Sequence, residues 1–124
     1  MIPVENALDS LEIQKLQLLH QKVDGLWFVN TSFSLAKADY PIYNNGRFVF
    51  ESLYNAKRSE KAIRSLMSKM PNISNQLVTA DFKNLFFYIQ LKPTPSIESR
   101  RETILPQIEQ YFDEVIGNKY HLSG

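Results

Sequence analysis

The side chains of this 124-residue chain best suited to chemistry are two histidines, a carboxylate pair at Glu109 and Asp113, and a run of lysines and arginines between residues 57 and 69. A histidine can serve as general base or metal ligand near neutral pH. His20, however, recurs with Ile13, Leu16, Val23 and Trp27 at spacings of three and four, on the apolar stripe of a helix, which predicts a ring hydrogen-bonded within the core. His121 stands far along the chain with no second histidine at a ligand-like interval. Glu109 and Asp113 lie one helical turn apart, so both carboxylates share a face. Two ligands are too few to hold a divalent cation, and a solvated acidic face, with Glu114 beside them, is the expectation. The four glycines, at 25, 46, 117 and 124, never cluster before a helix as a phosphate-cradling loop requires. The absence of cysteine removes thiolate nucleophiles, thiolate metal sites and disulfides together. No catalytic, cofactor-binding or metal-binding set emerges, and the chain reads as a non-enzyme.

The basic run offers a different chemistry. Lys57, Arg58, Lys61, Arg64 and Lys69 face only Glu60, and Lys57, Lys61 and Arg64 fall at i, i+4 and i+7, so a helix would gather them on one stripe. Such a stripe can contact phosphates, with Tyr54 one turn earlier to stack on a base. A nucleic-acid-binding accessory protein using Lys57, Arg58, Lys61 and Arg64 is therefore one reading. Against it stands a net charge of +1, which gives the molecule no overall attraction for polyanions.

Aromatic content points elsewhere. One Trp, six Tyr and eight Phe exceed what one buried stripe per helix can hide. Phe48, Phe50 and Tyr54 lie beside the main stripe of their segment, and Phe87 and Tyr88 fall off the inward face that Val78, Phe82, Leu85, Phe86 and Ile89 would fill. Soluble monomers seldom leave large contiguous apolar patches exposed, and aromatic rings are enriched at protein interfaces. The favoured functional expectation is a small interaction or adaptor protein. It would self-associate or bind a protein partner through Phe48, Phe50, Tyr54, Phe87 and Tyr88.

These residues must be positioned by elements that the breakers delimit. Clusters at Tyr40–Gly46, Met70–Asn72 and Lys92–Ser96 cut the chain into four segments within a single domain, 1–124. Asp9 with Glu12, flanked by Leu8 and Ile13, marks a helix start. Beyond Asp24-Gly25, Trp27, Val29, Thr31, Phe33 and Leu35 alternate with period two, as in a half-buried strand. Residues 59–70 read as helix, while Arg47–Tyr54 suits either a helix or a strand after an Asn-Asn-Gly turn. Residues 85–91 are equally two-sided. Ser99 with Glu102 can open a last helix that ends at Gly117, with Pro106 expected to kink or split it. The helical choice gives a mainly α, antiparallel four-helix bundle; the strand choice gives an α+β fold with helices on one face of a small antiparallel sheet. No apolar run approaches the roughly 20 residues of a membrane span, residues 1 to 20 lack a signal-peptide pattern, and a cytoplasmic protein is the expectation.

Overall fold

Asp9 accepts a hydrogen bond from the Leu11 amide at 2.8 Å and so starts helix α1, Ser10–Asp24, in a computed structural model that describes residues 1–54, 58–93, 100–117 and 119–122. Ile13, Leu16, Leu19, His20 and Val23 are buried along it, the stripe that the three-and-four spacing predicts. Gly25 ends the helix. The chain then forms β2, Val29–Phe33, a short 3₁₀ turn, Leu35–Lys37, and a hairpin of β3, Asp39–Asn44, with β4, Arg47–Ser52. Ser59 caps α2, Glu60–Ser68, by accepting from the Ala62 amide, and α3, Pro71–Leu77, begins with proline, whose missing N–H costs nothing at a first turn. Two short strands, β5 (Asn84–Leu85) and β6 (Tyr88–Leu91), precede the last helix, α4, Arg101–Val115. Strand β1, Ile2–Pro3, pairs with β5, β2 with β6, and β3 with β4, all antiparallel.

This is an α+β chain, and the mainly α four-helix bundle is corrected: strands occupy three stretches that the bundle needs as helix. The reason is geometric. Residues four apart share a face in a helix and also in a strand, so Val49 and Leu53 satisfy both periods. The deciding signal is the Asn45-Gly46 pair, whose φ values of 51° and 77° build the type I′ turn that matches strand twist. In the third segment, Val78 is extended at φ −143° and ψ 157° and ends α3, meeting Leu85 in one isolated antiparallel bridge beside the β1–β5 ladder. The class is the α+β alternative, with the sheet divided into three two-stranded ladders.

The core lies between α1 and α4, with the β2–β6 ladder and α2 closing it. Phe28, Leu35, Ile63, Leu85 and Ile104 are all nearly inaccessible there. Helix α4 runs unbroken through Pro106, and Gly117, at φ 85°, donates to the Phe112 and Asp113 carbonyls as a left-handed helix stop. The capping residue expected at Ser99 lies outside the described residues. Among the described residues, no helix is long and apolar enough to cross a membrane.

Candidate interaction surface: the aromatic hairpin

The β3–β4 hairpin carries its rings on the outside. Pairing runs Asn44 to Arg47, Tyr43 to Phe48, Ile42 to Val49, Pro41 to Phe50 and Tyr40 to Glu51. Directly opposed residues share a face, so Tyr43, Phe48 and Phe50 lie on one side together with Pro41. Tyr43 is 67%, Phe48 71% and Phe50 70% exposed, and every residue of β4 is open to solvent. Val49, on the opposite face, is exposed as well. The base of the hairpin is tied down by the Leu53 amide, which donates to the Ala38 carbonyl at 2.7 Å, and by Tyr40, which packs on the core. At the base Arg58 also donates to the Glu51 carboxylate at 2.8 Å and the Ser52 carbonyl at 3.0 Å.

The five residues expected to bind a partner are thus distributed over different surroundings. Phe48 and Phe50 share the hairpin face. Tyr54 is half-buried against the core just below it. Phe87 turns inward, stacked on the His20 ring at 4.4 Å and edge-on to Phe112 at 5.4 Å. Tyr88 sits on β6 opposite Phe33, both exposed, and its hydroxyl donates to the Gln76 carbonyl at 2.7 Å. Tyr43, which sequence reasoning left out, completes the face; the Asn-Gly turn beside it is the signal that would have placed it opposite Phe48.

Of the basic residues, Lys57 lies outside the described residues. Arg58 is held by Glu51, and Arg64 pairs with Glu60 at 3.2 Å while its guanidinium covers the Phe82 ring at 4.1 Å. Lys61 is exposed. Two of the four expected phosphate contacts are therefore engaged within the chain.

His20 is 4% exposed and both its ring nitrogens are bonded: Nδ1 lies 2.6 Å from Ser32 Oγ and Nε2 lies 2.6 Å from Ser34 Oγ. Ser32 Oγ donates to Asp24 Oδ1 at 2.5 Å, and Lys37 Nζ donates to Asp24 Oδ2 at 2.6 Å. Since a carboxylate only accepts, the Ser32 proton points to Asp24, and Ser32 must accept from Nδ1–H. A neutral ring then leaves Nε2 to accept from the Ser34 hydroxyl, which itself accepts from the Ala36 amide at 3.2 Å. Burial, reinforced by the positive charge of Lys37 and only partly opposed by Asp24, brings the His20 pKa down to about 4 and keeps the ring neutral. For Asp24, desolvation acts upward, but hydrogen bonds from Lys37 and Ser32 outweigh it and hold the carboxyl below its usual range. The chain of donors stitches α1, β2 and the 3₁₀ turn together.

An accepting Nε2 on a serine hydroxyl is also the arrangement that activates a nucleophile. Ser34, however, is fully buried, so no acyl group reaches its Oγ in this structure. The open depression of about 320 Å³ over the network exposes Asp24 and Lys37 instead, beside Gln17 and Gln21. Asp24 stands one turn after His20, a spacing that marks a shared helix face and was the available clue to this network. Serines 32 and 34 face inward because a bulge between Val29 and Thr31 shifts the strand alternation, which turns Thr31 and Phe33 to solvent. Among the described residues no three His, Asp or Glu side chains gather as a metal site. Glu109 and Asp113 instead receive the Tyr120 hydroxyl, at the Glu109 carbonyl (3.5 Å) and the Asp113 carboxylate (2.8 Å).

Comparison of the chain with models of protein families, with curated proteins and with solved structures gives no match.

Proposed function

We propose that this chain is a non-enzymatic interaction protein that works, in the cytoplasm, by burying the aromatic face of the β3–β4 hairpin against a protein surface. The observation that carries this reading is the placement of Tyr43, Phe48 and Phe50 side by side, each with about two-thirds or more of its surface in water. A two-stranded hairpin is marginal in isolation. Covering each ring is worth roughly 1.5–3 kcal/mol when complete, and an aromatic cluster is the usual anchor of a protein interface. The hairpin is also ready-made: the Asn-Gly turn and the Tyr43–Phe48 edge contact hold the rings in place before any partner arrives, which lowers the ordering cost of binding.

A photoreactive amino acid in place of Tyr43 tests the reading in living cells, with the same group at exposed Gln14 on α1 as the control. A discrete adduct from position 43 that vanishes with Phe48→Ser is the expected result. Identical adducts from positions 43 and 14, or none from either, contradict it.

A further inference from the structure

The hairpin has two outer edges, and they are not equivalent. A two-residue turn makes Asn44 and Arg47 a hydrogen-bonded pair, so the bonded pairs continue with Ile42–Val49 and Tyr40–Glu51, and the Leu53 amide bonded to the Ala38 carbonyl falls on the same alternation. Tyr43–Phe48 and Pro41–Phe50 are the non-bonded pairs between them. The main-chain groups of Phe48 and Phe50 therefore point away from β3, toward the outer edge of β4, where the described residues provide no neighbouring strand. The outer edge of β3 carries Pro41 at the matching position, and proline has no N–H to offer. Of the hairpin's two edges it is therefore β4's that presents an unbroken short ladder, and charge, bulge and proline, the usual guards of an exposed edge, are missing at its two phenylalanines.

The five residues Arg47-Phe48-Val49-Phe50-Glu51 are symmetric about Val49, with opposite charges at the two ends. We propose that a second copy of this chain pairs antiparallel with β4 on a twofold axis through Val49, joining two hairpins into a four-stranded sheet. In this register Phe48 of one copy and Phe50 of the other form hydrogen-bonded pairs, which engage the outward groups just described. Val49 meets Val49, and Arg47 meets Glu51 on the close, non-bonded positions. A shift that centres the axis on Phe48 or Phe50 loses the charge match and sets Val49 against Arg47 or Glu51. The ladder also stops where it should, because the Ser52 carbonyl is already taken by Arg58, and Arg58 occupies Glu51 Oε2 alone, which leaves Oε1 for the incoming guanidinium. A twofold interface of this kind is self-complementary, each Arg47–Glu51 contact occurring twice. The proposal rests on the hairpin being the interaction surface and names what pairs with its β4 edge, which lengthens the aromatic face and leaves it open on one side.

Arg47→Glu and Glu51→Arg, each exposed, separate the alternatives in sedimentation velocity over micromolar concentrations. Each variant alone brings two like-charge contacts and is expected to dimerise about tenfold more weakly than wild type. An equimolar mixture of the two restores both ion pairs and is expected to return to wild-type affinity, which changes inside either chain cannot produce. Concentration-dependent slowing of amide exchange at Phe48 and Phe50, but not at residues outside the hairpin, is the accompanying signature. A mixture no tighter than its components overturns the register. If the dimer instead survives both charge variants and is lost with Phe48→Ser, the hairpin reading stands and edge pairing falls. A wild-type chain that stays monomeric overturns the second copy as occupant, while the Tyr43 adduct reports separately on the hairpin.

Discussion

The ring of Tyr43 meets that of Phe48 edge to face across the hairpin, with centroids 5.2 Å apart and planes inclined at 67°. Pairs of this geometry contribute about 0.5–1.5 kcal/mol beyond their area. Here the contact has a local effect only: it orders two rings that remain in water and leaves their outer faces free.

Phe28 and Phe50 stand at opposite ends of the range of exposure. Phe28 is fully buried, and Phe28→Ala is expected to cost about 3–5 kcal/mol, the range for deleting a core ring. Phe50→Ala, on the hairpin face, is expected to change stability by no more than about 0.5 kcal/mol in dilute solution. Urea midpoints at submicromolar concentration check both; equal losses contradict the contrast.

Gly46 has φ 77° next to Asn45 at 51°, and a Cβ at Gly46 meets nothing closer than the Tyr43 hydroxyl at 3.9 Å. Space is therefore not the obstacle; the left-handed backbone is, at about 1–2 kcal/mol for a side chain other than Gly. Gly46→Ala is expected to lower hairpin order, seen as faster amide exchange at Val49 and Glu51, with a much smaller change in the thermal midpoint of the whole chain. A cooperative loss of the entire fold at this substitution contradicts the hairpin's energetic independence.

The His20 network makes the fold sensitive to acid. The imidazole titrates near 6.5 when unfolded and about 4 when folded, so between these values the unfolded state binds the extra proton. Stability is accordingly full above pH 6.5 and falls as pH drops from 6.5 toward 4, by up to about 3 kcal/mol. The depressed Asp24 carboxyl acts in the same direction at lower pH, its contribution lost as that group protonates. Unfolding free energies by urea at a series of pH values check this, and His20→Gln is expected to flatten the slope between pH 4 and 6.5. An unchanged slope in that variant assigns the sensitivity to other groups.

Ser34 both donates to His20 Nε2 and accepts from the Ala36 amide. Ser34→Ala leaves a buried acceptor and an amide without partners, which is expected to cost about 1–3 kcal/mol. Ser34→Thr keeps the hydroxyl but adds a methyl group where no surface is free. Denaturant midpoints are expected to fall for both variants, and tautomer-sensitive nitrogen shifts of His20 are expected to move for Ser34→Ala alone.

What the sequence shows of this fold depends on the competing periods. Asp9 and the Ile13–Val23 stripe mark α1 without ambiguity, because spacings of three have no strand counterpart. Ser59 marks α2 in the same way. Val49 and Leu53 are four apart, which both elements tolerate, so the choice passed to the turn. There Asn45-Gly46 argued for a hairpin against the longer apolar stripe and won. The bulge after Val29 was invisible to pattern, and it decides that Ser32 faces His20 and Phe33 faces water. Of the interaction surface, Phe48 and Phe50 were legible as rings in excess, Tyr43 was not, and Phe87 finds its place against His20, a contact between distant segments that no local spacing encodes.

The most direct test of the hairpin as a self-association surface is sedimentation velocity on the wild-type chain and on the Phe48→Ser/Phe50→Ser chain over one range of concentration. Wild type is expected to shift from monomer to dimer while the double variant stays monomeric with an unchanged thermal midpoint. A wild-type chain that remains a monomer throughout, or a double variant that dimerises as tightly, contradicts it.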